Sequence, residues 1–206
     1  MIARGSAAIV FAPAIVMVAI LAAVLVFESM VISLLTIPFG IAFLAFLVFF
    51  RDPRREIGPG IVSPADGRVL VADPATRRVA IFMGLRNAHV NRAPMAGTVA
   101  SRRYRPGGFA IASRPGSETN ERLEWTFRTD AGVLALAQVA GVFARRIVPY
   151  IGVGDKVKKG QRIGLVRFGS RVELSLPPGS RLRVAAGDRV RAGETTIAEV
   201  PDVVGS

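Results

Sequence analysis

The stretch Arg167-Phe168-Gly169-Ser170-Arg171-Val172-Glu173-Leu174, continuing as Ser175-Leu176-Pro177-Pro178-Gly179, decides how the rest of the chain is read. Leu165 and Val166 lead in. Val172, Leu174 and Leu176 then alternate with polar residues, the two-residue period of a half-buried strand. A glycine inside such a run ordinarily marks a bulge or a close backbone approach. The Gly169-Ser170 pair admits a second reading, as a bond built to break. A serine hydroxyl can attack the carbonyl that precedes it where the backbone is strained. Glycine at that carbonyl removes the Cβ that would obstruct attack and tolerates unusual dihedral angles.

Working outward, short β-like runs dominate the chain beyond residue 60: 67–72, 78–83, 97–101, 123–129, 133–139 and 162–168. Turn signals such as Ala65-Asp66-Gly67, Arg105-Pro106-Gly107-Gly108 and Pro178-Gly179 separate them. Only 141–150 (GVFARRIVPY) has the look of a short helix. The expected fold is therefore mostly β, a sandwich or compact barrel. An internal repeat supports this. Gly154-Asp155-Lys156-Val157-Lys158-Lys159-Gly160-Gln161 matches Gly187-Asp188-Arg189-Val190-Arg191-Ala192-Gly193-Glu194, a turn followed by one inward valine and a second turn. The unit resembles the hairpins of lipoyl and biotinyl carrier domains, that is, a barrel-sandwich hybrid. This gives an alternative function, a membrane-tethered carrier or adaptor without catalysis. Lys156, Lys158 and Lys159 lie in the Gly-Asp turn rather than at a Met-Lys-Met-like tip, which favours a structural role for the repeat.

Composition narrows the chemistry. The 206 residues are 51% hydrophobic with no cysteine and one histidine, His89. That excludes a disulfide framework, a thiolate nucleophile and a Cys- or His-rich metal site, and no metal is expected. A mean hydropathy of +0.43 alongside 20% charged residues implies an uneven chain. Residues 5–27 and 29–50 carry no charge, and Glu28 alone separates them. Each run is as long as the ~20 residues needed to cross a bilayer core. We expect an apolar helical hairpin over 1–50, a linker over 51–60 and a β domain over 61–206. Arg4 at one end and Arg51, Arg54 and Arg55 at the other place both termini in the cytoplasm. The kinking residues Pro13 and Pro38 leave a shallow re-entrant or monotopic hairpin open beside a full crossing. Arg4 and Glu28 cancel, so the whole net charge of +12 lies beyond the hairpin and suits an anionic membrane surface. No helix-turn-helix, zinc-finger or aromatic RNA-binding pattern accompanies that charge, so nucleic acid is not the expected partner.

Three short motifs bear chemistry: Ser63-Pro64-Ala65-Asp66-Gly67, His89-Val90-Asn91-Arg92-Ala93-Pro94, and Gly169-Ser170. Singly, each has a plain structural explanation: a turn, a hydrogen-bonded core histidine, a strand bulge. In this order, with Asn120-Glu121-Arg122 and the GVFARRIV stretch at 141–148, the chain resembles the phosphatidylserine decarboxylases, in particular their short single-domain class, which includes archaetidylserine decarboxylases. The resemblance implies a proenzyme that cleaves itself between Gly169 and Ser170 into a β chain, 1–169, and an α chain, 170–206. It also implies a pyruvoyl group formed from Ser170, which condenses with the substrate amine as a Schiff base. Phosphatidylserine would then lose CO2 to give phosphatidylethanolamine at the cell membrane. On the same footing His89 is an acid or base, Asp66 orients or charge-balances it, and Arg92 and Asn91 hold the headgroup. One departure stands out. Longer family members carry two histidines in YHRVHxP; aligned on Pro94, the first falls on His89 and the second on Arg92.

Overall fold

The two uncharged runs form helices, as their length and composition require: α1 (Ala7–Phe27), a short α2 (Met30–Leu34) and α3 (Thr36–Phe49). The computed structural model describes residues 1–108, 110, 117–141, 147–167 and 170–200. Glu28 takes a left-handed conformation (φ 48°) that ends α1 and turns the chain back. The rings of Phe11 in α1 and Phe43 in α3 pack with centroids 6.1 Å apart, tilted by 41°. At the open end Ile2 bridges Arg51, and the Ala3 N–H donates to the Phe50 carbonyl at 2.8 Å. Ala7–Phe27 and Met30–Phe49 are each long and apolar enough to cross a membrane.

Met1–Pro53 is one compact unit and Arg54–Ser206 a second, so the chain from Arg54 onward belongs with the β-structure. Fourteen strands are described there: β1 (Ile61–Val62), β2 (Gly67–Asp73), β3 (Arg78–Met83), β4 (Val90–Arg92), β5 (Gly97–Arg105), β6 (Arg122–Thr129), β7 (Gly132–Val139), β8 (Ile147–Pro149), β9 (Lys156–Val157), β10 (Arg162–Val166), β11 (Ser170–Ser175), β12 (Arg181–Leu182), β13 (Arg189–Val190) and β14 (Thr196–Glu199). They make one eight-stranded sheet, β13-β2-β3-β11-β7-β6-β5-β9, and two three-stranded sheets, β4-β10-β8 and β1-β14-β12. The domain is thus mostly β and layered, without a closed barrel among the described residues. Two expectations change. Ile147–Pro149 is a strand paired to β10 rather than part of a helix, and residues 142–146 lie outside the described ones. The stretch around Gly169-Ser170 is also two strands, not one bulged strand: β10 ends at Val166 in one sheet and β11 begins at Ser170 in another.

The sequence repeat is a structural repeat. Asp155 Oδ2 accepts the Gly152 N–H and Asp188 Oδ2 the Ala185 N–H, both at 2.8 Å, and Val157 and Val190 are both buried. The strands that follow these turns, β9 and β13, are the two edges of the eight-stranded sheet. Each copy also grips a proline turn. Gly160 N–H donates to Ala93 O and Gly193 N–H to Ser63 O, both at 2.8 Å. Ala93-Pro94-Met95-Ala96-Gly97 is thereby the counterpart of Ser63-Pro64-Ala65-Asp66-Gly67. One side chain serves both copies: Ile57 packs on Gly160 and Gly193, whose positive φ values (+77° and +79°) and missing Cβ atoms admit it.

Candidate active site

The chain crosses from one sheet to another between Val166 and Ser170. On the near side Val166 N–H donates to the carbonyl of His89 at 3.3 Å. On the far side Ser170 pairs with Met83 of β3. His89 and Ser170 therefore flank the same crossover, and both are fully buried. Phe168 and Gly169, including the predicted scissile carbonyl, lie outside the described residues.

Backbone hydrogen bonds bring the motifs together. Arg92 N–H donates to Pro64 O at 2.9 Å and Val62 N–H to Pro94 O at 3.0 Å, which docks the Asp66 turn on the His89–Pro94 stretch. Strand β4 then pairs with β10, Asn91 opposite Gly164. Because successive strand residues point to opposite faces, Asn91 and Arg92 diverge. The side chains consequently sort into two groups.

The first group surrounds Ser170. Its Oγ lies 3.9 Å from Met83 Sδ, and Asn91 Nδ2 lies 3.3 Å from the same sulfur. Asn91 Oδ1 accepts from Gln138 Nε2 at 2.8 Å. The asparagine amide is thus engaged inside the domain. His89 Nδ1 is 2.9 Å from the Asn87 carbonyl. A carbonyl only accepts, so Nδ1 carries the hydrogen and Nε2 is the basic nitrogen of the neutral ring.

The second group centres on Arg55. Its guanidinium bonds Asp66 Oδ2 at 2.6 Å and Glu194 Oε1 at 3.1 Å, and Asp66 Oδ1 accepts the Ala192 N–H at 2.8 Å. Both carboxylate oxygens of Asp66 are taken in this way, so the structure joins Asp66 to Arg55 and not to His89. The physical reason is charge: a nearly buried carboxylate needs a cation or several donors, and Arg55 with the Ala192 N–H supplies both. Arg92 lies on this side too. It is buried, donates from Nη1 to Gly160 O at 3.1 Å, and lays its Cδ beside Gly193.

On the opposite face of β11 from Ser170, Arg171 bonds Ser117 Oγ (2.8 Å) and Glu173 (2.6 Å). A cleft of about 350 Å³ on that face is lined by Arg78, Arg171 and Glu173 among others. The Asn120-Glu121-Arg122 stretch ties neighbouring loops: Asn120 Nδ2 donates to Ala110 O and Ala140 O, both at 2.7 Å. Burial pushes the Glu121 carboxyl above the usual range, and a hydrogen bond with Tyr104 only partly offsets it.

Sequence reasoning missed Arg55, Met83 and Gln138. Gln138 had a legible signal, as the one polar residue in phase with Leu134 and Leu136 on the inward side of β7. Arg55 had none beyond its charge, since its partners lie 11 and 139 residues away.

The family profile described as phosphatidylserine decarboxylase matches residues 42–198. A phosphatidylserine decarboxylase proenzyme of Streptomyces coelicolor is 54% identical over 155 residues, 73% of this chain and 71% of its own. A relative of the same name from Thermobifida fusca is 52% identical, covering 72% and 70%. A Methanosarcina mazei protein named as an archaetidylserine decarboxylase proenzyme is 45% identical, covering 75% and 74%. With matches of this extent on both the family profile and individual relatives, the chain belongs to the phosphatidylserine decarboxylase family, a family of carboxy-lyases.

Proposed function

We propose that this chain is a self-processing, pyruvoyl-dependent decarboxylase that converts phosphatidylserine to phosphatidylethanolamine and CO2, and that it cuts itself between Gly169 and Ser170. The supporting observation is the setting of the Ser170 hydroxyl. It is fully buried at a crossover between sheets, and its described contact is a thioether sulfur at 3.9 Å. Sulfur is a weak acceptor, and burying a hydroxyl without a proper partner costs about 1–3 kcal/mol. Folds retain such groups where chemistry needs them.

Attack by Ser170 Oγ on the carbonyl of residue 169 turns the peptide bond into an ester, and elimination then frees residues 1–169. Elimination leaves a dehydroalanine at residue 170, which tautomerises to an imine and takes up water with loss of ammonia to give the pyruvoyl group. That group would supply an electrophilic carbonyl for the substrate amine and a sink for the electron pair released with CO2. His89 Nε2, the basic nitrogen, moves the proton in processing or returns one to the product carbanion. The burial of Ser170 and His89 keeps bulk water from the site, which favours loss of the substrate's carboxylate charge as CO2 leaves. The helical hairpin anchors the enzyme in the cell membrane, with the β domain on the cytoplasmic side against anionic lipid. The two fragments stay together as a heterodimer.

Denaturing electrophoresis and intact mass of the purified chain test the reading. The expected result is a large fragment ending at Gly169 and a small one, 170–206, blocked at its N-terminus. Ser170→Ala stays as one chain without decarboxylase activity on phosphatidylserine vesicles. An uncut wild-type chain with full activity overturns the proposal.

A further inference from the structure

The polar groups buried beside Ser170 form a single file. Trp125 Nε1 donates to Gln138 Oε1 at 2.9 Å, Gln138 Nε2 to Asn91 Oδ1 at 2.8 Å, and Asn91 Nδ2 reaches Met83 Sδ at 3.3 Å. Ser170 Oγ touches the same sulfur. None of these five residues is more than 1% exposed, so water does not stand in for a missing partner. The two amide orientations are dictated rather than arbitrary. An indole N–H only donates, so Gln138 must turn its oxygen to Trp125 and its NH2 to Asn91. That NH2 in turn requires the oxygen of Asn91, which leaves the Asn91 NH2 on Met83 Sδ, the atom that Ser170 Oγ also touches. A donor on β6 thereby fixes, through two amides, a second donor at the crossover. Room for it is kept on β10: a Cβ on Gly164 would stand 3.0 Å from Gln138 Nε2 and 2.9 Å from Val148 O. A thioether holds the Asn91 N–H only weakly, so little is lost when an oxygen replaces it.

We propose that Gln138 is a positioning residue for self-cleavage, acting through Asn91, whose N–H donates to the side-chain oxygen of residue 170 as that oxygen departs. This rests on the reading of Gly169-Ser170 given above. In the first step the Oγ–C bond to residue 169 forms, the C–N bond breaks, and the hydroxyl proton ends on the freed amine. In the second a base takes the Cα proton, the Cβ–Oγ bond breaks, a Cα=Cβ double bond forms, and residue 169 leaves as a carboxylate. Negative charge grows on Oγ in this second step. A fixed donor in a water-free site acts most strongly there.

The test follows release of the 170–206 chain and the ester content, read by hydroxylamine cleavage, in the full-length protein. Asn91→Leu and Gln138→Leu are each expected to slow release by about 10- to 100-fold and to accumulate hydroxylamine-sensitive chain. The double variant should be no slower than Asn91→Leu alone, because Gln138 acts only through Asn91. Gln138→Glu keeps the acceptor for Trp125 and so serves where the leucine variant fails to fold. Its carboxyl donates to Asn91 when protonated. When ionised it accepts, and Asn91 then presents its oxygen to Ser170. Processing of Gln138→Glu should therefore fall with rising pH in a step that wild type lacks. Wild-type rates in Gln138→Leu, additive slowing in the double variant, or a Gln138→Glu profile like wild type's would each overturn the proposal. A wild-type chain that never releases 170–206 overturns instead the reading beneath it.

Discussion

Two buried polar clusters, around Arg55 and around Ser170, are bonded in opposite ways. Arg55, Asp66, Glu194 and the Ala192 N–H answer one another, charge against charge, at 2.6–3.1 Å. At Ser170 the hydroxyl and the Asn91 amide share one thioether. The first arrangement holds; the second leaves its groups ready for another partner. Asp66 makes the contrast clear. Its counterpart in the other proline turn is Ala96, so the turn itself does not require a carboxylate. What requires it is the neighbouring guanidinium. If the chain is cut at residue 169, Arg55 and Asp66 fall in the large fragment and Ala192 and Glu194 in the small one. The cluster then clasps the two products.

The largest expected effects come from exchanging stability for chemistry between these clusters. Asp66→Ala leaves Arg55 with Glu194 alone and the Ala192 N–H without its acceptor, and the loss should approach the roughly 3–5 kcal/mol of a broken buried pair. Chemical denaturation should show that loss, while the molecules that remain folded still cleave. Ser170→Ala should do the reverse, abolishing cleavage with stability equal to or above that of the uncut parent, since it removes a poorly bonded buried hydroxyl. An Asp66→Ala protein of normal stability that fails to cleave would return Asp66 to the chemistry and dissolve the distinction.

Smaller effects follow from the two repeat glycines under Ile57. A Cβ on Gly160 would stand 2.2 Å from Ile57 Cδ1, whereas on Gly193 the same atom is 3.3 Å away. Both positions carry the strain of a positive φ, about 1 kcal/mol for alanine. Gly160→Ala should therefore destabilise by about 2–3 kcal/mol, with overpacking added to strain, and Gly193→Ala by about half as much. Adding Ile57→Ala should relieve the overpacking of Gly160→Ala but not its backbone strain. Equal losses at the two glycines, measured by thermal melting, would show that Ile57 does not discriminate between them.

Much of this organisation was legible in sequence because it is local. Alternation gave most of the long strands, and the Gly-Asp repeat gave two turns whose side-chain bonds span three residues. The split at Gly169-Ser170 was hidden, since strand alternation on each side does not say that the sheets differ. Partner choice was hidden too. Asp66 lies 23 residues from His89 in sequence but bonds Arg55, and only the pairing of sheets puts Gln138 against Asn91, 47 residues away. Residue type marked what needed a partner, and topology chose which one.

Glu121 is the intermediate case and carries the smallest prediction. It is a buried carboxylate with a tyrosine hydroxyl, not an arginine, beside it, and burial raises its pKa. A carboxyl whose folded pKa lies above its unfolded one binds its proton more tightly in the folded state. Its contribution to stability is therefore full below the unfolded value and is lost as pH rises through the folded one. Wild type should lose stability from the ordinary glutamate range upward by this route, and Glu121→Gln should not. The two denaturation midpoints should coincide in acid and separate towards neutrality, with the glutamine variant the more stable. If the variant is instead less stable at neutral pH, the ionised Glu121 is held by a partner of its own, and it belongs with the bonded cluster of Arg55.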